Sequence, residues 1–387
     1  MNIVIVGTAY PLRGGIAHYN ALLARALSAR HEVHTITFKR QYPSFLFPGK
    51  TQEEQGGAHD VPPAPQLVDS VNPFNWVGVG RMIRRLKPDL LLFKYWLPFF
   101  GPCFGTIARM VKRNAYTRTV VICDNVIPHE RRPFDRAFTR YLFRVADGFI
   151  VQSHAVEEEL GRFWPSARYR YVPHPVYDLF GTSVPKDEAR ALLGLPAGRL
   201  LLFFGYVRRY KGLQVLLEAM ARLDRALGVR LLVVGEFYDG EQEYRDQIRS
   251  SGLDNVVTVR SEYVANAEVG TYFSAADAVV LPYTSATQSG IAQIAYNFDR
   301  PVLVSNVGGL AEIVVEGESG YIVPSNDPEA LAAAITRLYT EGTLDVLTRG
   351  AAVEKKKYTW ENLVRGIEDL AAEADQLNAK DPGNRVR

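Results

Sequence analysis

The sequence predicts an α/β protein of two domains, each built on a doubly wound parallel sheet. Three observations carry this. Short apolar runs alternate with longer amphipathic ones along the chain: Ile3 to Val6, Val33 to Phe38, Asp89 to Phe93, Thr119 to Ile122 and Gly148 to Val151 in one series, then Leu200 to Phe204, Val229 to Val234, Val256 to Val259, Ala278 to Leu281 and Val302 to Val304 in another. Continuous rather than alternating apolarity marks strands covered on both faces. A length of 387 residues exceeds one ordinary core. A proline-rich stretch from Pro173 to Pro185 separates the two series as a linker.

In the first half, Gly14-Gly15 breaks the chain and Ile16 to Ala29 has helical spacing. Residues 40–72, rich in Pro, Gly and Gln, read as a long loop with little regular structure. Helices are expected over 74–86, 101–113 and Phe134 to Val145, and in the second half Gly212 to Leu227 is amphipathic. Three helices follow over 328–340, 343–356 and 360–377. The expected domains are 1–178 and 179–358, with a separate helix at 359–377 and a flexible tail at 378–387. Two such halves place a cleft between them, with ligands at the carboxyl ends of strands.

Hydrophobic content of 47% and charged content of 22% are those of a folded globular protein. The net charge of +3 gives no ground for a nucleic-acid partner. Basic residues cluster at Arg81 to Lys87, Arg109 to Arg118 and Arg131-Arg132. These are either solvated helix faces or an attraction to an anionic membrane or acceptor. Cys103 and Cys123 sit among apolar neighbours and read as buried free thiols. No signal sequence precedes the first strand and no run of 18 apolar residues occurs, so a cytoplasmic location is the default.

The chemistry-bearing motifs follow strands. Phe204-Gly205-Tyr206-Val207-Arg208-Arg209-Tyr210-Lys211-Gly212 places three cations at a strand mouth, where Lys offers a compact charge to phosphate and Arg a two-pronged donor. Pro282-Tyr283-Thr284-Ser285-Ala286-Thr287-Gln288-Ser289-Gly290-Ile291 leads from a strand into a helix whose first N–H groups suit an anion. Ordinary capping by Ser289 explains the second motif equally well when it is taken alone. Together the two form a diphosphate cradle. In Val307 to Glu312, turning explains the glycines as well as ligand contact does. Arg13-Gly14-Gly15-Ile16 lacks the full dinucleotide fingerprint. His129, in a polar cluster after Ile122, is either an active-site or a loop histidine; no histidines have metal-ligand spacing.

As a set, Gly14 to Ala17, the Phe204 to Gly212 motif, Val233-Val234-Gly235-Glu236, Ala276 to Pro282 and Pro301 to Val323 resemble glycosyltransferase family 4 over nearly the whole chain. These are retaining enzymes of the GT-B fold, two Rossmann-like domains facing across a cleft. The resemblance implies that Arg208 and Lys211 bind the donor diphosphate and neutralise the leaving group. It implies that amides around Gln288, Ser289, Gly290 and Ile291 bind the same phosphates. Gly14 and Gly15 would lie under the phosphate or sugar, and His129 would face the sugar. Gly235 and Glu236 would belong to the donor site, backbone near Tyr263 would hold the base, and the last helix would brace the first domain. The family's usual glutamate pair is missing: no glutamate stands between Glu268 and Glu312, where Thr-Gln-Ser-Gly and Gln293 occur instead. This matches a branch with a Ser-Ala-Thr-Gln-Ser-Gly signature. Tyr206 stands where many relatives have arginine.

The expected activity is transfer of a hexose-type sugar, with retention, from a nucleotide diphosphate sugar to a hydroxyl acceptor in glycolipid or surface polysaccharide synthesis. Neither a cofactor nor a metal is expected. The alternatives are a nucleotide-sugar epimerase, a phosphorylase (disfavoured by chain length) and a non-catalytic nucleotide-sugar-binding protein. The apolar run Trp96 to Phe104, ahead of Arg109 to Arg113, reads either as core or as a surface helix touching a membrane that holds a lipid-linked acceptor.

Overall fold

The computed structural model describes residues 1–43, 63–127, 132–238 and 240–380. The chain divides into two compact units, Met1–Pro173 with Trp360–Arg387, and His174–Thr359.

The first unit is a seven-stranded parallel sheet: β1 (Asn2–Val6), β2 (Glu32–Arg40), β3 (Gln66–Asp69), β4 (Leu90–Tyr95), β5 (Arg118–Cys123), β6 (Gly148–Val151) and β7 (Tyr169–Tyr171), in the order β3-β2-β1-β4-β5-β6-β7. Ile3 lies in register with Val33 on one side and Leu90 on the other. The helices are α1 (Gly15–Ser28), α2 (Pro73–Leu86), α3 (Gly101–Lys112), α4 (Asp135–Phe143) and α5 (His154–Phe163). Local signals start them. Asn72 accepts from the backbone N–H groups of Phe74 and Asn75 with Pro73 at the first helical position, and Ser153 accepts from Val156.

One expectation is corrected here, one open choice is decided, and the reading of the cysteines holds. Residues 40–72 are not wholly irregular, because β3 pairs with β2 through a shifted register; of that stretch, 44–62 lie outside the described residues. The run Trp96 to Phe104 is not a surface helix. Phe100, Cys103 and Phe104 are fully buried, and Phe100 and Phe104 pack against Phe38. They fill the layer between sheet and helices, so their apolarity serves the core. Both cysteines are buried free thiols.

One charge lies inside this core. Lys94 on β4 is 2% exposed and pairs with Asp124 at 2.6 Å; it donates to Gln152 at 2.8 Å and lies 3.4 Å from the Tyr19 ring centroid. Burial lowers the Lys94 pKa, and Asp124 opposes that shift.

The second unit is a six-stranded parallel sheet: β8 (Arg199–Phe204), β9 (Val229–Val234), β10 (Val257–Arg260), β11 (Ala278–Leu281), β12 (Val302–Ser305) and β13 (Gly320–Val323), in the order β10-β9-β8-β11-β12-β13. Its helices are α6 (Lys186–Leu192), α7 (Leu213–Arg222), α8 (Glu241–Ser250), α9 (Asn266–Ala275), α10 (Gly290–Asn297), α11 (Pro328–Thr340) and α12 (Leu344–Glu354). The amphipathic run to Leu227 is not one helix. It stops at Arg222, and a short 3-10 turn follows because Asp224 caps Ala226 and Gly228 turns left-handed. Buried Asp277 accepts from the Leu200 N–H at 2.8 Å and pairs with Lys186 at 2.6 Å and Arg190 at 3.2 Å, tying α6 to the foot of the sheet.

The last helix, α13 (Trp360–Lys380), belongs to the first unit and packs on α1, β5, β6 and β7. It runs three residues past its expected end; 381–387 lie outside the described residues. Leu363 and Ile367 are fully buried, Trp360 meets Tyr19 edge-on, and Glu368 pairs with His31 at 2.8 Å. Arg30 also pairs with Glu361, and Arg170 with Glu373. Among the described residues, no helix is long and apolar enough to cross a membrane. Replacing Ile367 by Ala opens a void in this contact and should lower unfolding free energy by about 2–4 kcal/mol, measured by urea denaturation.

Candidate functional site

In the second sheet the strand order reverses between β8 and β11. The connection after β8 leads to β9 on one side and that after β11 to β12 on the other, which opens a crevice beyond the carboxyl ends of the two strands. The cationic motif and the Thr-Gln-Ser-Gly loop both fall there. They interlock through backbone: Thr284 N–H donates to the Tyr210 carbonyl at 2.7 Å. Gly212, at φ 70°, lies so close that a Cβ would collide with the Pro282 carbonyl oxygen. Gly235, at φ 140°, abuts the Gly205 carbonyl in the same way. Both positions require glycine for conformation and for space.

Lys211 closes a short 3-10 turn, Arg209–Lys211, and is only 8% exposed. Its ammonium lies above Gly205 beside Ile291, where a Cβ on Gly205 would be 3.1 Å from Nζ and 3.2 Å from Ile291 Cδ1. The Tyr283 ring centroid is 5.6 Å away. Among the described residues no carboxylate pairs with Lys211. Burial, and secondarily the charge of Arg208, pushes its pKa down to about 8.

Arg208 is exposed and stacks its guanidinium on Tyr238, 4.1 Å from the ring centroid. Tyr238 meets Tyr206 edge-on at 5.2 Å. Backbone bonds from Val207 N–H to the Glu236 carbonyl (2.8 Å) and from Tyr238 N–H to the Val207 carbonyl (3.1 Å) hold this layer together. Arg209 is instead drawn to Glu243 of α8 at 3.1 Å, so two of the motif's three cations belong to the cluster.

Ser289 is the residue before α10, yet its side chain makes no capping hydrogen bond. Its Oγ lies 3.4 Å from the Tyr283 hydroxyl. Ordinary capping therefore does not account for Ser289, and the first-turn N–H groups of α10, starting at Gly290 and Ile291, are left to an anion. Gly308 bears on this loop as well, because a Cβ there would strike the Ala286 carbonyl. Its glycine is explained by packing.

The second unit thus brings Arg208, Lys211, Gly235, Glu236, Ser289, Gly290 and Ile291 to one strand end, with Gln288 in the same loop. Tyr263 lies past β10, two strands from β8. Gln293 on α10 is 1% exposed, and its Oε1 has no partner among the described residues. Gly14 and Gly15 belong to the first unit at the start of α1; Gly14 has φ 109°, and nothing stands where a Cβ would project at either. His129 lies outside the described residues. Sequence reasoning missed Tyr238 and Tyr283. Both stand just beyond strand ends, the only signal that could have found them.

Two cations and an uncapped helix start form a site for a compact polyanion such as a diphosphate. Comparison with known proteins gives the family. Residues 14–175 match the family model described as glycosyl transferase 4-like domain, and 198–341 match glycosyl transferases group 1. A D-inositol 3-phosphate glycosyltransferase of Acidothermus cellulolyticus is 30% identical over 92% of this chain and 84% of its own length. With the corresponding Arthrobacter enzyme, also 30% identical, the alignment spans 49% of this chain and 47% of the relative. Among solved structures, sucrose-phosphate synthase of Thermosynechococcus elongatus superposes with a TM-score of 0.72 at 21% identity, covering 98% of this chain and 99% of that one. Anabaena HepE in complex with UDP gives 0.73 at 18%, covering 96% and 100%. The chain belongs to this glycosyltransferase family, and its fold is GT-B.

Two outcomes follow from the site. Only the protonated form of Lys211 attracts a diphosphate, so affinity is full below pH 8 and is lost as pH rises through about 8, by up to about tenfold per pH unit. Lys211→Arg should flatten that profile, as calorimetric titration of a nucleoside diphosphate would show. Tyr238→Ala should weaken the same binding roughly three- to tenfold, with Tyr238→Phe near wild type. In an Arg208→Ala background the Tyr238→Ala change should have little further effect.

Proposed function

We propose that this chain is a retaining glycosyltransferase that moves a hexose-type sugar from a nucleotide diphosphate sugar to a hydroxyl acceptor. The observation that carries this is Lys211, a buried cation with no carboxylate partner among the described residues, set beside Arg208 and the uncapped start of α10. As the sugar–phosphate bond breaks, negative charge grows on the diphosphate, and these groups are already placed to take it up. In this reading the acceptor hydroxyl attacks from the face the diphosphate leaves, and the departing phosphate accepts its proton. Gly14 and Gly15 would lie under the phosphate or sugar and His129 would face the sugar. Glu236 and Gln288 would line the donor site, and backbone near Tyr263 would hold the base. The donor is a substrate, and no resident cofactor or metal enters the scheme. The Anabaena structure of the same fold, solved with UDP, supports a nucleotide-diphosphate ligand.

We place the acceptor in glycolipid or surface polysaccharide synthesis, lipid-linked, with the protein in peripheral contact with the cytoplasmic face of a membrane. The missing glutamates between Glu268 and Glu312 favour one second reading, a non-catalytic nucleotide-sugar binder. Slow hydrolysis of the donor without acceptor separates an enzyme from that binder. A thermal-shift screen against UDP-, GDP-, ADP- and TDP-sugars should select one base. With the selected donor, Lys211→Ala should cut turnover by about a hundredfold or more; transfer near the wild-type rate would sink the assignment.

A further inference from the structure

Helix α4 carries an outer surface that the fold uses only in part: the Tyr141 hydroxyl lies 3.1 Å from Thr106 Oγ1, and Arg136 and Arg140 lie 5.7 Å and 5.9 Å from the Phe163 ring centroid. Its inner side, formed by Asp135, Thr139, Leu142 and Phe143, is buried. Its outer side has two strips. Phe134, Phe138 and Tyr141, spaced i, i+4, i+7, are 71%, 36% and 36% exposed. Arg132, Arg136, Arg140 and Arg144, each four residues from the next, are also exposed. Among the described residues none of these four arginines forms an ion pair. Asp135 is the one acid between Arg132 and Arg144, and it is buried, accepting from the Arg132 backbone N–H at 2.7 Å.

This face is held firmly. Gly101 and Gly105 of α3 bring α4 close, since a Cβ on either would strike the Phe138 carbonyl or the Tyr141 ring. Arg109 lies 3.6 Å from the Tyr141 ring centroid and donates to the Tyr141 carbonyl at 2.8 Å. Phe134 stays outside although its φ of 75° is unfavourable for a bulky side chain. A row of arginines without carboxylate partners among the described residues, beside exposed rings, has the composition of an interfacial helix, with cations at lipid phosphates and rings at the acyl boundary. Nucleic acid fits less well, because Phe134 and Phe138 stack on each other, 6.2 Å apart and 25° from parallel, which occupies faces that bases would need.

We propose that the outer face of α4 docks this protein on an anionic lipid bilayer, through Arg132, Arg136, Arg140 and Arg144 and the rings of Phe134 and Phe138. This deepens the membrane-side half of the proposed function and is independent of the donor half. It also moves the contact from Trp96 to Phe104, which are largely core, to a helix beginning some thirty residues later.

The test is sedimentation of the full chain with phosphatidylcholine vesicles, with and without phosphatidylglycerol. Binding is expected only with the anionic lipid and should fall with added salt. The triple variant Arg136→Glu, Arg140→Glu, Arg144→Glu should lose it, at roughly fivefold or more per position. The pair Phe134→Ala, Phe138→Ala should keep a weaker, more salt-sensitive binding. Both variants should keep the wild-type melting temperature and the wild-type thermal shift with donor, since Arg208 and Lys211 lie in the other unit. Equal binding to neutral vesicles, wild-type binding by the triple variant, or tighter binding to an oligonucleotide than to vesicles would each overturn the proposal. Failure of the donor reading would appear separately, as loss of the donor thermal shift with vesicle binding intact.

Discussion

A buried ammonium without a carboxylate is costly, and the second unit keeps one at the mouth of β8. Lowering the Lys211 pKa from 10.5 to about 8 corresponds to about 3 kcal/mol against the charged form. A single paired acid would relieve that cost, and among the described residues Lys211 has none. Gly212 runs against Pro282, Gly235 runs against Gly205, and Tyr210 is hydrogen-bonded to Thr284. Gly205, Ile291 and the Tyr283 ring lie around the ammonium, and the charge of Arg208 adds to its cost. In the proposed function that charge is kept for the donor diphosphate, and the sheet's reversal of strand order brings the start of α10 into the same crevice.

Arg208 shows a different solution for the second cation. It is exposed and would be mobile on its own, a long side chain losing much rotamer freedom on binding. Stacking on Tyr238, itself braced by Tyr206, limits that freedom before a ligand arrives. Tyr206, directly after Gly205, is thus part of the support for the arginine two positions on.

The strands of both sheets were largely legible because a doubly covered parallel strand is continuously apolar, and few other elements look like Ile3 to Val6 or Val229 to Val234. β3, β7 and β13 escaped because they are short and lie at sheet edges, where residues such as Gln66, Tyr169 and Arg170 need not be apolar. The two loops beyond β8 and β11 were legible as candidate motifs because glycine and cations after a strand have few structural uses. What was not legible is three-dimensional neighbourhood. Nothing in the spacing of Arg209 shows that Glu243 takes it away from the site. Nothing in Ser289 shows that its hydroxyl declines to cap. The apolarity of Trp96 to Phe104 is the same whether a lipid or a β-sheet covers it, whereas the i, i+4 pattern on α4 becomes informative only once its buried side is known.

The first unit is discontinuous in sequence. Its sheet and five helices come from the first 173 residues, but α13 is contributed by a segment that follows the whole second unit. During synthesis the second unit can therefore complete its own core while the first still lacks the helix that covers α1, β6 and β7. Until Trp360, Leu363 and Ile367 leave the ribosome, that apolar surface has no native cover. The order of synthesis is thus the reverse of the order of completion: the half begun first is the half finished last, and its apolar surface stays open to misassembly longest.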